Sequence, residues 1–198
     1  MTSNDSGAPI IHWYSHPSDR ESTEFVADAM LRFEREVTRQ TDLPIIVREL
    51  PDESMRIVND LLARPQFVAE GLLITSLFKE VKRALPNVDR LVLFCPNAPT
   101  VRRMAQQEMN IEHLPWGVAR VKQAFVFESQ IPQVIWHEAL HTIGAGECYD
   151  PADPRARFPL CTDPRCLMQF EPTPTNCGGG FPICSRVLDH IRMGLEHF

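Results

Sequence analysis

One stretch of this chain, HEALH at residues 137–141, has residue types and spacing suited to metal-assisted chemistry. His137 and His141 are four positions apart, so on a helix both imidazoles project from one face and can share one ion. Glu138 lies beside them and is not expected to bind the ion. Its place suits taking a proton from an activated water and returning it to a leaving amine. A zinc ion would bring the pKa of that water from about 15.7 towards ~7 and polarise the carbonyl under attack. HExxH also occurs by chance in helices. Here apolar Val134, Ile135, Leu140 and Ile143 flank it, as in a helix buried against a sheet, and Gly144 follows where the helix should stop.

A second set of chemically capable residues follows at once. Five of the six cysteines, Cys148, Cys161, Cys166, Cys177 and Cys184, fall within 37 residues, whereas Cys95 ends the apolar run LVLFC as a small buried hydrophobe. In a reducing compartment such a cluster favours a metal, and in an exported protein it would form two bridges and a spare thiol.

The elements that must position these groups divide the chain in two. Over residues 9–130, strand-like and helix-like patterns alternate, as in an α/β layer, and with the HEALH helix they make an expected lobe over 8–144. PIIHWYS (9–15), LPIIVREL (43–50) and RLVLFC (90–95) read as strands. A helix is expected from residue 18 to 40, with Ser18 or Asp19 as cap, and others over 53–63 and 67–85. GVARV and QAFVFES (117–129) read as a closing strand or hairpin along the sheet edge. The HEALH helix should span 131–143, with Ser129 as cap and Pro132 in its first turn. Residues 145–183 hold seven of the seventeen prolines and the run Cys177-Gly-Gly-Gly, so irregular loops needing staples are expected. RVLDHIRMGLEHF (186–198) resumes helical spacing as a terminal helix, completing a small lobe over 145–198.

HExxHxxG resembles the metzincin clan of zinc peptidases, in which a third histidine follows three residues after the glycine and a Met-turn comes later. Glu147 stands at that third position, and a carboxylate is an acceptable zinc ligand. Asp150 and then Cys148 are the competing third ligands. CTDPRCLMQF (161–170), followed by Cys184, resembles more closely the archaemetzincins within that clan. That resemblance covers residues 137 to 190 in motif terms. It implies a metzincin-like α/β fold, in which a twisted mixed sheet and active-site helix face a cysteine-rich lobe. It also implies Met168 as the Met-turn residue and a second, structural zinc held by cysteines, expected at Cys161, Cys166, Cys177 and Cys184 with Cys148 as alternate. The chain departs from the family pattern at Glu147, at Leu160 before the Cys-x4-Cys unit, in the apparent insertion YDPADPRARFPL (149–160), and at Phe181 where the final CxxC should begin.

The expected activity is zinc-dependent hydrolysis of a peptide or protein substrate, with one catalytic and one structural zinc. The alternative is a non-catalytic, zinc-stabilised binding protein on the same scaffold. A net charge of -6 argues against nucleic acid as partner. No apolar run reaches the ~20 residues of a membrane span. The opening MTSNDSGAPIIHWYSHP lacks a basic n-region and an apolar h-region, so a cytoplasmic location is expected; a monomer is expected separately. His12 and His16 should flank a strand, His113 a loop and His197 the last helix, leaving His190 as the one stray ligand to check.

Overall fold

A computed structural model describes residues 7–15, 20–64, 74–95, 99–110, 112, 114–120, 122–127, 130–148, 161, 163, 165–169, 172–173 and 175–196. The expectations placed on His16, Ser18, Asp19, His113, Ser129, Asp150, Leu160, His197 and the insertion 149–160 lie outside the described residues.

The described elements run β1 (Ile10–Ser15), α1 (Arg20–Thr41), β2 (Ile46–Glu49), α2 (Asp52–Leu62), α3 (Ile74–Ala84), β3 (Arg90–Phe94), α4 (Pro99–Met109), β4 (Gly117–Arg120), β5 (Gln123–Val126), α5 (Pro132–Thr142) and α6 (Ser185–Glu196). The strands form one five-stranded mixed sheet in the order β2-β1-β3-β5-β4. β1 pairs in parallel with β2 and β3, β3 pairs in parallel with β5, and only β4 runs antiparallel to its neighbour. The expected hairpin forms, but its two strands differ in place: β4 is the sheet edge and β5 is interior.

Alternation along the strands divides the core, because successive side chains point to opposite faces. Ile11 and Trp13, Val92 and Phe94, and Val126 face α1 and α5; Tyr14, Leu91, Leu93, Phe125 and Phe127 face α2, α3 and α4. Both faces of β3 are therefore covered, which is why it reads as the uninterrupted apolar run LVLF behind Arg90. α1 contributes Val26, Met30, Phe33 and Val37, all fully buried at helical spacing. Burying each such side chain stabilises the fold by roughly 1.5–3 kcal/mol.

Helix α4 has no counterpart in the sequence reading. PTVRRMAQQEM buries only Val101, Met104 and Ala105, a weak stripe among polar residues. Packing against α3 holds it there, together with the hydrogen bond from the Arg102 side chain to the Pro115 carbonyl, 2.7 Å.

The cysteine-rich segment shares one core with the α/β half. Cys148, Cys166, Met168 and Phe181 pack in the same cluster as Phe33, Trp136 and Val187. Phe181 stands 5.9 Å from the Phe33 ring and 5.1 Å from Trp136, bridging α1 and α5. The Trp136 indole donates to the Ala29 carbonyl at 2.8 Å, so the polar end of this buried ring is paired.

Candidate metal centre

Helix α5 lies in the interior rather than on a surface. Nine of its eleven residues, Gln133 to Leu140 and Thr142, are buried, which explains why it has no polar face. Pro132 occupies its first turn, where a missing N–H costs nothing, and Ile131 precedes it without a side-chain cap. At the other end the Gly144 N–H donates to the His141 carbonyl at 3.2 Å and the Ala145 N–H to the Leu140 carbonyl at 3.1 Å. This is a Schellman ending, which requires a left-handed residue after the cap, and Gly144 supplies it with φ +98°. A Cβ on Gly144 would also stand 3.2 Å from the Gly194 backbone of α6. The reversal carries Glu147 back over the helix face that bears the two histidines.

The result is a converging triad. His137 Nε2 and His141 Nε2 are 3.3 Å apart, and Glu147 reaches them at 3.7 Å and 3.1 Å respectively. Two nitrogens each ~2.0–2.1 Å from one zinc ion in tetrahedral array would be separated by about 3.3 Å, so the spacing fits a shared ion. Each ring is held from behind: Nδ1 of His137 meets the Leu167 carbonyl at 2.7 Å, and Nδ1 of His141 meets the Ala145 carbonyl at 2.9 Å. Donation to those carbonyls leaves Nε2 as the lone-pair atom that a metal needs. Burial lowers His141, but the hydrogen bond and charge of Glu147 outweigh it and raise the imidazole to about 9. Burial and the neighbouring His141 lower His137, against the pull of Glu147 and Leu167. A cation entering the triad therefore displaces a proton from the His141–Glu147 pair.

The Glu138 carboxyl lies against the edge strand. A Cβ on Gly117, the first residue of β4, would stand 2.5 Å from the Glu138 carboxyl atoms, so the carboxyl lies against bare backbone there. Sequence reasoning did not single out Gly117, although a glycine in a strand is a known sign of close approach. Burial raises Glu138 to about 8, with Glu147 adding to the shift and His141 opposing it. A carboxyl with such a pKa can both take and return a proton near neutral pH.

Met168 is fully buried, and its carbonyl accepts from the Cys148 N–H at 2.8 Å. The Leu167 N–H in turn donates to the Pro182 carbonyl at 2.9 Å. The turn at 167–168 thus links the ring of His137 to the cysteines.

A second group collects four thiols. Cys148, Cys161, Cys166 and Cys184 bring their sulfurs within 4.8 Å of one another. Cys148 Sγ lies 3.8 Å from Cys166 Sγ and 3.5 Å from Cys184 Sγ, and all six cysteines are free. Sulfurs each ~2.3 Å from a tetrahedral zinc would be about 3.8 Å apart, whereas bonded sulfurs would be at ~2.05 Å. Hydrogen bonds from the Cys148 thiol and from the peptide N–H groups of Cys184 and Met168 pull Cys166 down, against burial, while Cys148 is pushed up in turn. Stabilising a thiolate in this way is what a structural zinc site requires. The set differs from the one expected. Cys148, the alternate, joins the group, while Cys177 is buried nearby but outside it. The reason lies in the Gly144 reversal, which delivers Cys148 together with Glu147. His190 also stays outside both groups and packs its ring against Gly146.

No protein-family model matches the chain, and no curated protein matches it in sequence. A solved structure does match: the crystal structure of archaemetzincin from Methanopyrus kandleri superposes over 98% of this chain and 99% of that one, at TM-score 0.54 and 14% identity. The fold is metzincin-like. Within it, the described residues that could hold a metal form two groups, His137–His141–Glu147 and the four cysteines. No described helix is long and apolar enough to cross a membrane.

Proposed function

We propose that this chain is a zinc-dependent peptidase. His137, His141 and Glu147 hold the reactive ion, Glu138 is the general base, and Cys148, Cys161, Cys166 and Cys184 hold a structural one. The observation that carries this reading is the convergence of two Nε2 atoms, 3.3 Å apart and anchored from behind, on the Glu147 carboxylate. Zinc bound there supplies Lewis acidity to a water and to the scissile carbonyl. The chain's own residues do the rest. The Leu167 and Ala145 carbonyls orient the rings, and Glu138 accepts the proton of the attacking water and passes it to the leaving amine. β4, the antiparallel edge beside Glu138, pairs with an extended substrate backbone. Met168 is proposed as the apolar floor beneath the ion. Glu147 in place of an imidazole adds negative charge, which makes the ion a weaker Lewis acid.

Metal analysis and peptide hydrolysis test this together. The wild-type chain should bind about two zinc ions, and Glu147→Ala about one. Glu138→Gln should keep both while turnover falls by about 10²–10⁴. A chain that holds a single zinc and cleaves no peptide would instead be a binding protein on a metzincin-like scaffold.

A further inference from the structure

Next to the triad is a cavity of ≈ 560 Å³ that the peptidase reading does not explain. His141 and the turn that follows it line the cavity, together with Arg90, Arg120 and Lys122. Among its described lining residues there are three permanent cations and no carboxylate. That is an unusual concentration in a chain of net charge -6.

Each cation is held in place by a contact of its own, that of Arg90 being to Thr142 in the cavity wall. Arg90 is 4% exposed and donates through Nη1 to the Thr142 carbonyl at the end of α5. Arg120 reaches Glu108 at 2.8 Å, and Lys122 reaches Asp89 at 3.0 Å. Asp89 and Glu108 are not among the cavity's lining residues, whereas Arg120 and Lys122 line both this cavity and a neighbouring one that includes Asp89. Burial lowers Arg90 to about 10, with Asp89 opposing, so an anion beside it would relieve a charge that is poorly solvated.

Chain direction says which part of a substrate would reach these groups. β4 runs from Gly117, beside Glu138, to Arg120, beside the cavity. A peptide paired antiparallel with β4 runs the other way, so residues over Arg120 precede the bond at the triad. We propose that this cavity is the subsite for an acidic side chain on the amino-terminal side of the cleaved bond, held by Arg120 and Lys122 above the buried Arg90. The proposal rests on the peptidase reading for its substrate class, and it adds the charge of that substrate.

The test uses the full-length Glu138→Gln chain and a short neutral fluorescent peptide blocked at both ends. In further versions of the peptide one Glu, or one Gln, is moved through successive positions. By fluorescence anisotropy, Glu at one or two positions should bind roughly fivefold more tightly than Gln, an advantage that shrinks with added salt. In Arg120→Gln/Lys122→Gln the Glu:Gln ratio should fall to about one, whereas Arg83→Gln, on α3, should retain it. Equal binding of Glu and Gln peptides at every position overturns the subsite. So does a preference that survives in the double variant with an unchanged melting curve. Tighter binding only when the peptide's carboxyl terminus is left free assigns the anion to the chain end and also overturns it. Glu-selective binding by a wild-type chain that cleaves nothing would remove the peptidase reading and keep the subsite. Wild-type cleavage without charge preference would do the reverse.

Discussion

The two ligand groups are built on opposite principles. His137, His141 and Glu147 come from eleven consecutive residues on one helix and the turn that ends it. Backbone carbonyls hold both rings, and the triad adjoins the cavity beside β4. The four thiols are gathered from 37 residues that contain no strand or helix among those described before Ser185. Local loop hydrogen bonds, such as that from the Cys148 N–H to the Met168 carbonyl at 2.8 Å, hold them without a helix or strand. A site organised on a helix can present three donors and keep a coordination position open. A site whose surroundings lack regular structure needs a fourth donor to close it. The comparison teaches that regular structure positions one group, whereas in the other the proposed ion would have to hold the loops together.

Removing a thiol should therefore have the largest effect. Cys166→Ser is expected to lose one zinc per chain and to destabilise the fold on the order of 10 kcal/mol. Cys177→Ser, outside the group, should keep both ions. Zinc content and thermal melting measured on the two variants would erase the contrast if they behaved alike.

Next in size is the contact joining the two regions. Phe181→Ala removes the ring wedged between Phe33 and Trp136 and should cost about 3–5 kcal/mol by denaturant unfolding. A cost under 1 kcal/mol would mean that the cysteine segment holds its position without that anchor.

At the open site, Gly117→Ala should push the Glu138 carboxyl aside. Turnover should then fall by up to about 100-fold at unchanged zinc content and melting temperature. Full turnover would show that the carboxyl needs no bare backbone beside it.

The smallest effect concerns the cationic wall. Burial raises the Glu108 carboxyl, but hydrogen bonds from the Thr75 hydroxyl and N–H and from Arg120 hold it below its ordinary value. A depressed folded pKa contributes stability that is present above the unfolded value and lost as pH falls through the folded one. Glu108→Gln should thus lower stability at pH 7 by less than about 1 kcal/mol, and the difference should vanish towards pH 3. A gap that persists in acid would assign the effect to packing.

Much of this was legible in the order of residues. The strands at 10–15 and 90–94 announced themselves through apolar runs, because the centre of the sheet is covered on both faces. The HEALH helix and its glycine stop were equally clear, since helix periodicity and a left-handed cap are local matters. Helix α4 was not, because its apolar stripe is thin and only its neighbours make it pay to bury Met104 and Ala105. Gly117 was missed for a related reason: its partner, Glu138, is distant in sequence.

By itself, then, the sequence determined the short-range chemistry: two imidazoles on one helix face, a carboxyl beside them and a reversal after Gly144. Only the tertiary structure decided which cysteines meet, bringing Cys148 into the group and leaving Cys177 outside. It alone set Gly117 against Glu138 and gathered Arg90, Arg120 and Lys122 around one cavity. The physical reason is range. A helix repeats every 3.6 residues and can be read along the chain, whereas proximity across a sheet or between loops depends on how every other element packs.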